Sequence, residues 1–328
     1  MSGRALFERL PRLEDLVPFV ELADGLPTPV ERVAERLWVQ REDLTSSAYG
    51  GNKVRKLEFV LPVAQRRGGP ILTAGGIGSH HVLAAAVHAR RLGLEVEAVQ
   101  FPQQVTDNVR RTQEALRWLG VRSTRAPSSY LMPVVLAARL AALAPRWPYL
   151  LWPGASTPLG TLGYVSAGLE LAAAMPREPD DVVVALGSGG SAVGLGLGLA
   201  LAGWRRAQVV GVRVADAVAN NMVVLRGLEA ATAALVALGG WVPKPARLSV
   251  DGAWFGGGYG APTDAGSAAM ALARREHQLE LEPTYTAKAF AAALHLVERG
   301  RSVVFVQTYS AFVRSVVPES GTSDRTNG

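Results

Sequence analysis

The chain has 328 residues, of which 48% are hydrophobic and 19% charged, and this composition excludes a disordered chain or a very small domain. It contains no cysteine, which excludes disulfides, thiolate metal sites, iron–sulfur clusters and cysteine nucleophiles, and we predict no metal site. The net charge of +6 arises from 34 basic and 28 acidic residues that form no long basic run, so we expect no nucleic-acid partner.

Two segments bear on targeting and membranes. The N-terminal segment carries charges, among them Arg4 and Arg9, that interrupt any apolar core of a signal peptide, so we expect a cytoplasmic protein. The stretch from Val182 to Trp204 carries no charge, but the glycine-rich turn that begins at Gly187 would break a spanning helix. We therefore expect a buried strand, a tight loop and a buried helix there, and no membrane span.

From about residue 70 onward, short β-rich segments alternate with longer helical patterns. The predicted strands are Ile71–Ala74, Glu95–Phe101, Val121–Arg125, Tyr149–Trp152, Val182–Leu186, Gln208–Val214 and Ser302–Gln307. The predicted helices are Ser79–Leu92, Asp107–Leu119, Ser129–Leu143, Leu159–Ala174 and Ser191–Ala202. This alternation predicts an α/β fold, and the number of strands favours two open, mainly parallel sheets flanked by helices.

A glycine pair precedes a lysine at the start of a helical pattern. Gly50 and Gly51 allow a close backbone approach or a positive φ, and they bring Lys53 to a helix N-terminus. The positive end of the helix dipole and the charges of Arg55 and Lys56 would favour the neutral amine that a Schiff-base lysine needs. The alternative is that Lys53 and Lys56 simply lie on an exposed helix end.

The segment Thr73–His81 has the pattern of a strand, a glycine turn and a helix that begins after Ser79. Free amides at a helix start, with Ser79 as the N-cap, can bind a carboxylate. The alternative is an N-cap serine with a structural role alone.

A second glycine-rich loop, Gly187–Ala192, follows a strand and opens a helix, which is the geometry that surrounds a phosphate with backbone amides. It also matches, weakly, the dinucleotide pattern G-x-G-x-x-A, with Asp216 after the next strand. The loop predicts a phosphate site and leaves open which ligand carries the phosphate.

Tyr259 and Tyr285 each lie near a turn marked by glycine or proline. A single tyrosine of this kind is usually packing, but a pair could contact a substrate, with one phenol as acid or base.

The segment from Gly50 to Glu58 reads GGNKVRKLE, and it resembles the GGNKxRKLE segment of the family of 1-aminocyclopropane-1-carboxylate deaminases and D-cysteine desulfhydrases. These are pyridoxal-phosphate enzymes of fold type II, similar to the tryptophan synthase β subunit. The resemblance implies that Lys53 holds pyridoxal 5'-phosphate as a Schiff base, that Asn52 also binds the cofactor, and that Lys56 contacts its phosphate. The stretches Pro153–Ser156 and Gly160–Tyr164 are also similar to family motifs.

The resemblance assigns further positions. The family's Q-S-N-[HQ] loop corresponds to Gly78–His81, so Ser79, His80 and His81 would bind substrate, with Ser79 also taking part in catalysis. His80 would in addition stand where an asparagine contacts the cofactor. The family's phosphate loop G-S-x-G-[ST] corresponds to Gly187, Ser188, Gly189, Gly190 and Ser191. Tyr259 and Tyr285 would be the family's two active-site tyrosines.

Two threonines favour the desulfhydrase branch. Thr286 and Thr308 occupy positions at which the deaminases carry Glu and Leu, and by this resemblance Thr286 would face the pyridine nitrogen and Thr308 the substrate. Three residues depart from the family's H-x-G-G motif, namely Gln307, Tyr309 and Ser310.

The implied reaction is α,β-elimination on a small amino acid, with D-cysteine giving pyruvate, sulfide and ammonia. The alternatives are a 1-aminocyclopropane-1-carboxylate deaminase, a nicotinamide enzyme that uses the Gly187 loop, and a non-catalytic pyridoxal-phosphate- or metabolite-binding protein with a diverged pocket.

The resemblance also implies a homodimer, a large cofactor-binding domain of residues 1–54 plus 165–320, a small domain of residues 55–164, and a flexible tail of residues 321–328.

Overall fold

The computed structural model describes residues 4–310, except 243, 245 and 246, so the predicted tail lies outside the described residues. The strands are β1 (Val30–Ala34), β2 (Leu37–Gln40), β3 (Ile71–Gly76), β4 (Val96–Phe101), β5 (Arg122–Arg125), β6 (Tyr149–Leu150), β7 (Asp181–Leu186), β8 (Gln208–Arg213), β9 (Leu248–Asp251) and β10 (Val303–Val306). The helices are α1 (Ala5–Arg9), α2 (Arg12–Leu16), α3 (Lys53–Arg67), α4 (His80–Arg91), α5 (Asp107–Trp118), α6 (Met132–Leu143), α7 (Pro158–Ala174), α8 (Gly190–Leu201), α9 (Ala217–Asn220), α10 (Met222–Leu238), α11 (Asp264–His277) and α12 (Thr286–Glu298).

These strands form two sheets. The larger sheet has the order β1-β2-β10-β7-β8-β9, and the smaller has the order β5-β4-β3-β6. Only β1 pairs antiparallel with its neighbour; all the other pairs of described strands are parallel, and β7 pairs with β8 from Asp181 opposite Gln208 to Leu186 opposite Arg213. The predicted α/β fold with two mainly parallel sheets flanked by helices is confirmed.

All seven predicted strands and all five predicted helices are present, with shifted ends. The segment predicted from Tyr149 forms a strand of half the expected length, since β6 has 2 residues. Sequence analysis missed β1, β2 and β9, which are short, and two of which are edge strands of the larger sheet. It also missed α10, whose first residues Met222, Val223 and Val224 are apolar and partly or largely exposed, which obscures the helical period.

The uncharged stretch is buried within the protein. It forms β7, a glycine turn and α8, which packs on α7 so closely that a Cβ at Gly198 would lie 2.2 Å from the carbonyl oxygen of Val165. Glycine is therefore required for this helix contact. Among the described residues, no helix is both long enough and apolar enough to span a bilayer.

Helix α3 packs on two hydrophobic cores at once. Phe59 belongs to the core of the larger sheet, whereas Leu57 and Leu61 belong to the core of the smaller sheet. The predicted domain boundaries would fall in the first turn of α3 and within α7, and they remain a prediction. Because α3 lies between the two cores, its first residue, Lys53, lies in the cleft between the sheets.

Candidate active site

Lys53 is delivered to the cleft by a loop that only glycine can form. Gly51 has φ of +89°, and a Cβ there would lie 2.7 Å from the carbonyl oxygen of Thr308. The N–H of Asn52 donates to the same oxygen at 3.3 Å, so the loop is fastened to the end of β10. The ammonium of Lys53 in turn donates to Oδ1 of Asn52 at 2.6 Å.

Burial lowers the pKa of Lys53 to about 8, and the negative charge of Glu282 opposes this shift. The predicted contribution of Arg55 is wrong. Its guanidinium is buried and forms 2.7 Å ion pairs with the carboxylates of Glu42 and Glu170, which neutralise its charge. Desolvation therefore favours the neutral amine of Lys53.

Four residues form a polar cradle: Lys56, Ser156, Ser188 and Gly190. The ammonium of Lys56 lies 3.2 Å from Oγ of Ser156 and 3.3 Å from the carbonyl oxygen of Gly154. Oγ of Ser156 lies 2.7 Å from Oγ of Ser188 and accepts the N–H of Gly190 at 3.1 Å. A Cβ at Gly190 would lie 2.6 Å from Oγ of Ser156, so this approach requires glycine.

The charge of Lys56 lacks compensation within the cradle. Its side chain is 1% exposed, and its ammonium donates hydrogen bonds to neutral oxygens. Burial together with the charge of Lys53 lowers its pKa well below the ordinary value. A buried cation beside the N-terminus of α8 is a site for an anion. The cradle therefore fits a phosphate group.

The glycine loop before α8 is shaped by a positive φ and by one asparagine. Gly189 is the N-cap of α8 with φ of +90°. The Asn220 amide donates to the carbonyl oxygens of Leu186 and Gly187 at 3.3 and 3.0 Å, and Nδ2 of Asn52 donates to Oγ of Ser191 at 3.0 Å. The last bond joins the lysine loop to the glycine loop before α8, which sequence alone does not indicate.

Ser79 is the N-cap of α4, as predicted, and its hydroxyl accepts the N–H of Val82 at 3.4 Å. Nε2 of His81 lies 2.9 Å from the hydroxyl of Thr73. The first amides of α4 therefore lie at the same wall of the cleft as Ser79 and His81, as a carboxylate site requires.

The ring of His80 is hydrogen-bonded on both nitrogens. Nδ1 lies 2.8 Å from the phenol oxygen of Tyr49, and Nε2 lies 3.0 Å from Nδ2 of Asn108. Burial and the charge of Lys53 lower the pKa of His80 to about 3, so the ring is neutral. Sequence analysis missed both partners, and contact between His80 and a cofactor remains a prediction.

Tyr259 and Tyr285 meet across the cleft. Their phenol oxygens are hydrogen-bonded to each other, and their ring centroids are 6.1 Å apart. Burial raises the pKa of Tyr259 to about 12 and that of Tyr285 well above the ordinary value. Both phenols are therefore protonated at neutral pH, and each can donate a hydrogen bond.

A buried carboxylate, Glu282, was missed by sequence analysis. It accepts the backbone N–H groups of Thr284, Tyr285 and Thr286 at 2.8, 2.6 and 2.9 Å, and thus caps the start of α12. The hydroxyl of Thr286 accepts the N–H of Glu282 at 2.9 Å, whereas the nearest acceptors for its own proton are 3.5 Å away. An acidic residue shortly before a helical pattern is the signal that could have identified this cap.

One cavity of about 490 Å³ lies at the carboxyl ends of β3, β7 and β10 and contains nearly all the predicted positions. The predicted residues that line it are Asn52, Lys53, Lys56, Ser79, His80, His81, Gly187, Ser188, Gly189, Ser191, Tyr259, Tyr285, Thr286 and Thr308. Gly190 is absent from this lining, and its N–H donates to Oγ of Ser156.

Comparison with known proteins defines the class. A family model described as pyridoxal-phosphate dependent enzyme matches residues 22–308. A solved structure of an ACC deaminase homologue has a TM-score of 0.79 and 27% identity, and covers 97% of this chain and 100% of that one. Threonine deaminase isoform 2 from Solanum lycopersicum has a TM-score of 0.64 at 15% identity, covering 95% and 88%, which shows the fold alone. The fold and cavity are those of a fold type II enzyme that uses pyridoxal phosphate.

Relatives with similar sequences define the family within this class of enzymes. The D-cysteine desulfhydrase of Salmonella schwarzengrund (strain CVM19633) is 33% identical over 327 residues, which covers 92% of this chain and 95% of that protein. The D-cysteine desulfhydrase of Salmonella typhimurium is 32% identical with the same coverage. The chain belongs to the pyridoxal-phosphate-dependent family of the D-cysteine desulfhydrases and ACC deaminases. The dinucleotide interpretation of the Gly187 loop is therefore wrong.

Proposed function

We propose that this enzyme catalyses α,β-elimination on a small amino acid, with D-cysteine and water giving pyruvate, hydrogen sulfide and ammonia. The observation that carries the proposal is a lysine amine with a pKa of about 8 in the same cavity as a phosphate cradle and two neutral phenols. The relatives named D-cysteine desulfhydrase support the choice of substrate.

Different residues would bind the cofactor and the substrate. Lys53 would hold the cofactor covalently, and Lys56 with the amides and hydroxyls of the cradle would hold its phosphate. The first amides of α4, capped by Ser79, would bind the substrate carboxylate. The bound cofactor supplies a conjugated ring that takes up the electron pair left at Cα when its proton is removed.

Proton transfer would fall to Lys53 and the tyrosines. The amine of Lys53, once free, would take the Cα proton, because a lysine with a lowered pKa is an effective base near neutral pH. The bond from Cβ to sulfur then breaks with its electron pair leaving on sulfur, and a phenol of Tyr285 or Tyr259 would donate the proton that the sulfur needs.

Thr286 would contact the pyridine nitrogen with a neutral hydroxyl. Because its oxygen already accepts the N–H of Glu282 and its own proton has only distant acceptors, this hydroxyl is available as a donor. A hydroxyl donor does not keep the ring nitrogen protonated as a carboxylate partner would, which limits charge delocalisation and suits elimination over transamination.

Ring opening of 1-aminocyclopropane-1-carboxylate is the second candidate. The likeness to the ACC deaminase homologue favours it, whereas Thr286 and Thr308 favour the desulfhydrase reaction. We also propose, from the family, a cytoplasmic homodimer with the two domains predicted above.

The test is release of pyruvate and ammonia from D-cysteine, L-cysteine, β-chloro-D-alanine, D-serine and 1-aminocyclopropane-1-carboxylate. We expect the wild-type enzyme to turn over D-cysteine and β-chloro-D-alanine. The variant Lys53→Ala should lose both this turnover and the yellow band of the bound cofactor. Activity on the cyclopropane alone would select the second candidate. Cofactor-loaded protein that releases no 2-oxo acid from any of these compounds would contradict both candidates.

A further inference from the structure

Tyr309 joins the two sides of the cleft. It follows β10 of the larger sheet, and its hydroxyl donates to Oδ1 of Asn108 at 3.2 Å. Its ring lies edge-on to the ring of His80, with centroids 4.9 Å apart and an interplanar angle of 80°. Asn108 and His80 lie in the first turns of α5 and α4, which flank the smaller sheet. The side chain of Tyr309 therefore crosses from one sheet's elements to those of the other.

The contacts continue beyond Asn108 as a chain of hydrogen bonds. The Asn108 amide donates to Nε2 of His80, so the neutral ring carries its proton on Nδ1 and donates it to the oxygen of Tyr49. Tyr49 is buried and His80 is partly buried, which restricts their movement. The rotamer of Tyr309 is consequently restricted at its hydroxyl by Asn108 and at its ring by His80.

This held ring lies at the part of the cavity assigned to substrate. His80 follows Ser79, and its ring lies 6.4 Å from that of Tyr285, so Tyr309, His80 and Tyr285 form a continuous aromatic wall. The wall and the cradle around Lys56 share no residue. The family motif resembled by this segment has glycine at position 309, a residue that would leave this volume open.

We propose that Tyr309 is a specificity-determining residue whose ring, held by Asn108 and His80, narrows the substrate part of the cavity and restricts substrates to amino acids with a short, unbranched β substituent. The choice of amino acids as the substrate class rests on the proposed function. The narrowing of the cavity by the ring of Tyr309 rests on its contacts with Asn108 and His80 instead. Apolar pockets discriminate single methylene groups by about 10- to 200-fold, so one fixed ring is enough to set such a limit.

The test uses the cofactor-loaded enzyme and a probe of cavity width that is independent of the amino-acid substrate. Hydroxylamine and the bulkier O-benzylhydroxylamine each displace Lys53 from the cofactor, and the loss of the yellow band gives the two rates. We expect the ratio of the benzyl rate to the hydroxylamine rate to rise at least tenfold in Tyr309→Ala. Tyr130→Ala, which removes an 81% exposed tyrosine at the same cavity, is the matched control and should change the ratio less than twofold.

Two milder variants test the hydrogen bond, and they serve if Tyr309→Ala fails to fold. Tyr309→Phe and Asn108→Ala remove the two partners of one bond and should each raise the ratio about two- to fivefold. The double variant should do no more than Asn108→Ala alone, because Asn108→Ala already removes the bond that Tyr309→Phe removes, together with the bond to His80. Unchanged ratios, or fully additive ones, would overturn the proposal. Failure of the proposed function would instead appear in the pyruvate and ammonia assay, with these ratios unaffected.

Discussion

The phenol oxygens of Tyr259 and Tyr285 are hydrogen-bonded to each other although the residues are 26 positions apart. Tyr285 precedes α12, whereas the ring of Tyr259 lies 5.6 Å from that of Phe101 on the smaller sheet. The pair thus joins the two sides of the cavity. Since burial keeps both phenols protonated, one can donate a proton while the other accepts its hydrogen bond.

From this pair we predict unequal effects of removing each hydroxyl. Tyr285 also contacts His80 in the wall near Ser79, so Tyr285→Phe should lower kcat for D-cysteine by about 10²- to 10⁴-fold, the usual contribution of a general acid. Tyr259→Phe should lower it about tenfold. Steady-state kinetics measures both, and an unchanged yellow band shows that the cofactor is retained. A kcat within twofold of wild type in both variants would remove the tyrosines from the chemistry.

The lowered pKa of Lys53 predicts a specific pH dependence in the cofactor-free protein. With a pKa of about 8, the neutral fraction of Lys53 rises about tenfold between pH 7 and pH 9 and then levels off. Acetylation by N-hydroxysuccinimidyl acetate, followed by peptide mass spectrometry, should show this profile. A lysine in free solution would instead continue to rise toward about pH 10.

The variant Glu282→Gln tests the electrostatic contribution to the pKa of Lys53. Because the charge of Glu282 raises the pKa of Lys53, its removal should move the midpoint of this profile to lower pH. A midpoint that moves upward, or a wild-type rate that still rises steeply above pH 9.5, would contradict the assigned electrostatics.

We predict that replacing Lys56 weakens cofactor binding but stabilises the cofactor-free protein. Lys56→Met should weaken binding of pyridoxal phosphate about 10- to 100-fold, because charge-assisted hydrogen bonds to the phosphate are lost. Binding of pyridoxal, which lacks the phosphate, should change little. Equilibrium titration of the two ligands separates these effects, and equal loss for both would exclude a phosphate role.

The same variant should stabilise the cofactor-free protein. The pKa of Lys56 is lower in the folded than in the unfolded state, so the unfolded state binds more protons and wild-type stability falls as the pH drops below the ordinary lysine pKa. Lys56→Met removes this penalty. Thermal unfolding at pH 7 should give a higher Tm than wild type without cofactor, and an exposed-site control, Lys244→Met, should leave the Tm unchanged.

Two glycines with positive φ provide a matched pair of substitutions. Gly51 and Gly68 have φ of +89° and +77°, but a Cβ at Gly51 would meet a backbone oxygen at 2.7 Å whereas one at Gly68 would meet nothing within 4 Å. Gly68→Ala should destabilise the protein by about 1 kcal/mol and leave the cofactor band unchanged. Gly51→Ala should displace Lys53 and abolish the band. Equal behaviour of the two variants in denaturant unfolding and absorbance would contradict this distinction.

Local patterns predicted the elements from residue 71 to residue 213 well. β7 is a run of branched residues buried on both faces, and α4 begins after a serine cap, and both features depend on neighbours in the chain. The short edge strands β1 and β9 were missed because a segment of four or five residues carries little periodic signal.

The lysine segment, the phosphate loop and the tyrosine pair were all recognisable in the sequence, since each depends on residue types at fixed local spacing. The partners of these groups were not. Asn108 meets Tyr309 across 201 positions and Lys56 meets Ser156 across 100, and such contacts exist only once the two sheets are packed against α3.

Sequence by itself determined which reactive groups this protein has, because a lysine, a glycine loop and two tyrosines are specified by residue identity and local backbone geometry. Tertiary structure decided their chemical state and their neighbours. Burial lowers the pKa of Lys53, and the ion pairs with Glu42 and Glu170 neutralise the charge of Arg55. The backbone N–H of Glu282 donates a hydrogen bond to the hydroxyl of Thr286. The physical reason is that desolvation and pairing depend on what the folded chain brings within a few ångströms of each charge.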